Sequence, residues 1–130
     1  MGDNRQAVEQ YFGQVADAWK RNDGGAIADT FTADGTLINP FGERADGREA
    51  IASMYTDYFG GMLQGTTTTV KVESVRAVDS ESLFVDAEQT ILGPGGDVVL
   101  AVHLATLLRN AGGSCTAVEA RPYAFAAPPA

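Results

Sequence analysis

Of 130 residues only one is cysteine, Cys115, and only one is histidine, His103. A single thiol excludes an intramolecular disulfide, and one imidazole beside it leaves no ligand set for structural zinc. Carboxylates alone could hold a weak hard cation, but neither a metal nor a cofactor is expected. Positive charge is scarce as well: nine Lys and Arg stand against seventeen Asp and Glu, for a net charge of −8, and the nine are scattered. No basic stripe exists to release counterions from a phosphate backbone, which excludes nucleic acid as a partner. The same acidity disfavours anionic bilayers, and no apolar run approaches the roughly 20 residues that span one. The first twenty residues lack the uninterrupted apolar stretch of a secretory signal, so the expected compartment is the cytoplasm. Triad, P-loop and dinucleotide fingerprint are all missing; Gly93 to Gly96 reads as a hairpin loop, since no helix start follows it.

Apolar residues make up 45% and charged residues 20%, a globular balance that rules out extended disorder. The expected organisation is one domain over residues 1–125 and a frayed tail, 126–130, that contains two prolines. From Asn4 to Arg21 the apolar residues Val8, Phe12, Val15 and Trp19 recur every three or four positions, the stripe of an amphipathic helix that Asp3 or Asn4 can cap. Asn22 to Gly25 breaks the pattern, and Asp23 can cap a short second helix with Ile27 and Phe31 on one side. Gly35 to Ile38 reads as a short strand and Asn39 to Gly42 as a turn, because Pro40 holds Asn39 extended. Asp46 with Glu49 three residues on suggests a capping box for a third helix, whose buried face is Ile51, Met54, Tyr55, Tyr58 and Phe59.

After Gly65 the chain reads as four strands: a Thr- and Val-rich run to Val78, then Leu83 to Leu92, Val98 to Arg109, and Cys115 to about Phe125. Short turns between them make antiparallel neighbours. Helices first and a meander after is an α+β order, and the expected architecture is three N-terminal helices packed in the concave face of a curved, mostly antiparallel sheet, a cone-shaped barrel enclosing one apolar cavity. Both alternating sets of Val98 to Leu108 are largely apolar. That predicts burial on both faces and a homodimer through the convex one.

Trp19, then Asn22 and Asp23 at a helix turn, Phe31 with Ala33 and Asp34, the turn Asn39 to Gly42, and Gly47, Arg48 and Ile51 opening the third helix resemble the nuclear transport factor 2-like superfamily over the whole chain. Gly47, Arg48, Ile51 and the run Ala105 to Arg109 resemble its SnoaL-like and SgcJ/EcaC branch, whose members often sit in polyketide and enediyne biosynthesis. The superfamily's ketosteroid isomerases use a carboxylate base after the first strand with a Tyr and a protonated Asp as oxyanion donors. The resemblance puts Asn39, Val15 and Ala105 at those three positions, so that mechanism is not expected here. It also puts Tyr55 at a supporting tyrosine and His103 two residues before Ala105, both pointing inward.

Two catalytic candidates follow. They are His103, an acid or base near neutral pH, and Tyr55. The expected pocket comprises Val15, Trp19, Asn39, Phe41, Tyr55, Tyr58, Phe59, Gln89, Ala101, His103, Ala105 and Val118, with Trp19, Tyr55, Tyr58 and Asn39 orienting a carbonyl or hydroxyl. Each has a plainer reading: His103 as a satisfied core histidine, the aromatics as packing, and Asn39 as a turn residue bonding its own backbone. Asp86, Glu88, Glu119 and Arg121 belong on the convex face, and Cys115 is better read as buried structure than as a nucleophile. The expected ligand is a small hydrophobic molecule, a polyketide or polyene intermediate. Alternatives are an isomerase or cyclase using His103, or a non-catalytic dimerisation module.

Overall fold

In the computed structural model residues 4–129 are described; Asp3, a candidate helix cap, and Ala130 lie outside them. Helix α1, Asn4–Lys20, buries Val8, Phe12 and Trp19 of the anticipated stripe together with Ala7, Tyr11 and Ala18, while Val15 is half-buried. Asn22, at φ 49°, turns the chain, and its amide ties two loops together. Nδ2 donates to the carbonyls of Trp19 (2.7 Å) and Thr66 (3.1 Å), while Oδ1 accepts from the Gly65 N–H at 2.7 Å. Helix α2, Gly24–Ala28, is capped by Asp23, whose Oδ1 accepts from Ala26 N–H at 3.0 Å.

Phe31 opens β1, Phe31–Ile38, instead of lining α2, because the helix ends at Ala28 and the β-branched and aromatic run that follows pairs with a neighbouring strand. The turn after β1 leads into a short strand that the sequence reading missed, β2, Arg44–Asp46. Helix α3, Arg48–Phe59, is preceded by Gly47 at φ 89° with no side-chain cap. The expected capping box does not form. Asp46 is held instead by Thr36 Oγ1 at 2.7 Å and by Arg44, which draws its carboxylate across to the β1–β2 pair. The remaining strands are β3, Thr67–Ala77; β4, Ser82–Leu92; β5, Val98–Ala111; and β6, Ser114–Tyr123.

The strands form one sheet in the order β2-β1-β6-β5-β4-β3. It is mixed, since β1 runs parallel to β6 while every other pair is antiparallel. The α+β class with three helices stands, but the curved, cone-shaped barrel does not. The sheet is open, with β2 and β3 as unpaired edges at opposite ends, and a three-residue β2 offers too few backbone groups to close it onto β3.

Helices α1 and α3 pack against the sheet through β3, β6, β1 and β2. On the face they cover, Leu83, Val85, Ala87, Gln89 and Ile91 of β4 meet Val102, Leu104, Thr106 and Leu108 of β5, all buried. The alternate residues face the other way: Val99 and Ala101 are exposed and His103, Ala105 and Leu107 half-buried. In the single chain β5 is therefore buried on one face, not two. Among the described residues no helix is long and apolar enough to cross a membrane.

Candidate functional site

Between α1, α3 and the covered face of the sheet lies a cleft divided in two. One chamber of about 40 Å³ is lined by Leu37 of β1, Asn39, Pro40 and Phe41 of the following turn, Met54 and Tyr58 of α3, Met62 and Leu63 beyond it, and Ile91, Leu100 and Val102 of the central strands. A second, also about 40 Å³, runs along α1 past Tyr11, Phe12, Val15, Ile27, Leu104 and Thr106. Trp19, Leu37, Tyr55, Gln89 and Pro122 line both, so these side chains form the partition.

The partition is fixed to different degrees. Trp19 Nε1–H donates to Thr66 Oγ1 at 2.9 Å, which spends the only donor of the indole. Its ring meets those of Tyr55 and Phe59 edge-on, with centroids 5.4 and 5.5 Å apart. Gln89 is buried, and its Nε2 donates to Thr68 Oγ1 at 3.0 Å. Tyr55 is different. Its hydroxyl makes no hydrogen bond among the described residues, whereas every fully buried side-chain nitrogen or oxygen there has a partner; the hydroxyl therefore borders the open space of the cleft. Burial, and then the nearby Tyr11, push its pKa up, so at neutral pH it is a protonated donor. Tyr11, further along, is pushed up to about 12 mainly by burial and donates to Thr30 Oγ1 at 3.4 Å.

The mouth carries a polar cluster. Asn39 Oδ1 accepts from the N–H groups of Phe41 (3.0 Å) and Glu43 (2.9 Å), and its Nδ2 donates to Glu43 Oε1 at 2.7 Å. Tyr58 donates its hydroxyl hydrogen to the same carboxylate oxygen. Hydrogen bonds from Tyr58 first and Asn39 second hold the Glu43 carboxyl below its ordinary value, and that same contact raises the Tyr58 phenol. Glu43 went unrecognised in the sequence. Its signal was the turn: Asn39 and Glu43 also pair through backbone, Asn39 N–H to Glu43 O at 2.9 Å, so a hairpin reading of residues 38–44 would have set the two side by side.

Of the expected pocket residues, Trp19, Asn39, Phe41, Tyr55, Tyr58 and Gln89 come together at the first chamber, and Val15 lies on the second. Phe59 is buried behind Trp19 and lines neither chamber. Ala101, His103 and Ala105 do not point inward. They occupy the uncovered face of β5, where the His103 ring stacks on Phe125 at 3.7 Å. Alternation along a strand is strict, so once Val102, Leu104 and Thr106 turn to the helices their neighbours cannot. Val118 sits at the register shift of β6, between Ala117 and Glu119 that pair with Leu108 and Leu107, and lines neither chamber. Asp86, Glu88, Glu119 and Arg121 share the outer face with His103 through the same register. Cys115 is buried, which pushes its thiol up and away from the reactive thiolate.

The SnoaL-like domain family matches this sequence over residues 8–118. The chain belongs to that family, and with it to the nuclear transport factor 2-like superfamily. Solved structures similar to this SnoaL-like domain include a Nostoc punctiforme domain of unknown function with a cystatin-like fold, 19% identical with a TM-score of 0.84 over 98% of this chain and 80% of that one. Aln2 from a Streptomyces species is 18% identical with a TM-score of 0.79, covering 95% and 92%. A ketosteroid isomerase-like protein from Erwinia carotovora is 20% identical with a TM-score of 0.72, covering 98% and 100%. At such identities the likeness is one of fold. No curated protein matches the sequence.

Proposed function

We propose that this SnoaL-like domain binds a small, mostly apolar organic molecule of the polyketide or polyene kind in the divided cleft. The observation that carries the reading is the unpartnered Tyr55 hydroxyl inside a mostly apolar lining, a directed donor for a ligand carbonyl or hydroxyl. The chambers are small beside the about 300–1,000 Å³ of an ordinary ligand site, so a ligand enters by turning Tyr55 aside and merging them. Phe41 and Met62 at the mouth are 56% and 49% exposed and free to move, and unbranched Met54 and Met62 reshape at low cost. The ligand class follows from the SnoaL-like resemblance of Gly47, Arg48, Ile51 and the run Ala105 to Arg109.

An isomerase or cyclase reading cannot use His103, which faces away; what favours it is the hydrogen bond that Tyr58 donates to Glu43 at the mouth. Dimerisation through the outer face is supported by exposed Val99, Tyr123 and Phe125. Native mass spectrometry of protein purified from a host carrying polyketide biosynthesis genes tests both: a dimer with a co-purifying small molecule is expected. Tyr55→Phe should then weaken binding of that molecule by about 0.5–1.5 kcal/mol without lowering the unfolding midpoint. A ligand-free dimer that takes up nothing from such an extract overturns the binding reading and leaves a dimerisation module.

A further inference from the structure

The uncovered face of the sheet brings three metal-binding side chains together from three adjacent strands. Glu73 of β3, Glu88 of β4 and His103 of β5 each offer one ligand atom, and these atoms lie within 4.8 Å of one another. Strand register produces the grouping. Glu88 is directly opposite His103, and the bulge in β3 between Val72 and Ser74 carries an extra residue, Glu73, onto the same face beside Glu88.

Three properties set this group apart from an ordinary acidic patch. One member is an imidazole, and its ring is already oriented by stacking on Phe125 at 3.7 Å, with Tyr123 5.5 Å away. Neither carboxylate nor the imidazole forms a hydrogen bond or ion pair among the described residues, although Lys71 stands opposite Glu88. The neighbouring acidic groups of that face are engaged: Asp86 accepts from Ser74 Oγ at 3.2 Å and Glu119 pairs with Arg121.

We infer that Glu73, Glu88 and His103 form a site for one divalent transition cation of the zinc type. A nitrogen and two carboxylate oxygens suit Zn²⁺, with a water completing four-coordination. Bond lengths of about 2.0–2.1 Å in a tetrahedron put ligand atoms about 3.4 Å apart, so the two exposed glutamates close on the fixed imidazole by rotating their side chains. Phe125 and Tyr123 pack against one side of the imidazole. The bound cation neutralises two adjacent carboxylates and ties β3, β4 and β5 together across their outer face.

The test is isothermal titration of the chelator-stripped full chain with zinc chloride, with cobalt absorption as a second readout of coordination. One zinc per chain with micromolar affinity is expected, together with a rise in the thermal midpoint at saturating zinc. His103→Ala and Glu88→Gln should each weaken binding at least about tenfold, and the cobalt spectrum of the parent should show the intense visible bands of a low-coordinate site. Asp86→Asn, on the same face but outside the group, should leave affinity unchanged. The inference is overturned if titration shows no saturable binding, or if His103→Ala binds zinc as the parent does.

Discussion

The two faces of the sheet are built from the same four long strands and differ in almost everything else. On the helix-covered face Leu83, Val85, Ala87, Leu104 and Leu108 are buried and the polar residues Gln89, Thr68 and Thr106 are enclosed with them; on the outer face Glu73, Glu88, Arg121 and Tyr123 stand in solvent. On the covered side Trp19, Gln89 and Thr68 are held by hydrogen bonds, whereas the Tyr55 hydroxyl at the cleft has none among the described residues. The outer face leaves several groups unengaged and available to a partner. The difference teaches that side-chain type along β5 is a poor guide to orientation: Leu107 and Leu108 are equally apolar, yet only Leu108 is part of the core.

That contrast can be broken most directly by truncation. Leu108→Ala removes a fully enclosed side chain and should cost about 2–5 kcal/mol in chemical unfolding, while Val99→Ser, on the outer face at 43% exposure, should stay within about 0.5 kcal/mol; similar costs would mean the two faces are not inside and outside. A smaller effect tests the enclosed polar groups. Thr66→Val keeps the shape but strands the Trp19 indole N–H, and should lower stability by about 1–3 kcal/mol, read as a shift of the urea midpoint.

The smallest effect sharpens the comparison at the mouth, where the cleft meets solvent. The carboxyl of Glu43 is depressed from its ordinary 4.5, so its contribution to ordering the turn is present above that value and is lost as pH falls through the lower folded one. Tyr58 is raised from 10.0, so its contribution is present below that value and is lost as pH rises through the higher folded one. The NMR shift of the Asn39 side-chain amide should therefore stay constant from roughly pH 5 to roughly pH 9 and move outside those limits. A midpoint near neutrality would show that another group controls the mouth.

Much of the fold was legible as local pattern. Most of the stripe of α1, the Asp23 cap, Ile51 and Phe59 as the buried residues of α3, and the four long strands with their turns follow from spacing and turn chemistry, which act over a few residues; Met54, Tyr55 and Tyr58 of α3 are only half-buried. What was misread depended on partners far along the chain. Asp46 left its expected cap for Thr36, Phe31 joined a strand that pairs with β6, and β2 is too short to announce itself by alternation. The same holds at the site. Helical spacing and the turn pointed to Trp19, Tyr55, Tyr58, Asn39 and Phe41, which line the first chamber, while His103, Ala101 and Ala105 lie on the face of β5 opposite to the one expected.

By itself the sequence determined the α+β class, the three helices, the long strands and the cluster of Trp19, Asn39, Phe41, Tyr55 and Tyr58 around an apolar space. Hydrophobic period and turn residues encode these directly. Only the tertiary structure decided that the sheet stays open, that Glu43 closes the polar cluster at the mouth, and that Glu73 and Glu88 meet His103 on the outer face. Each of these depends on register between strands, and in a strand whose two faces are both apolar a shift of one residue exchanges inside for outside while leaving the local pattern unchanged.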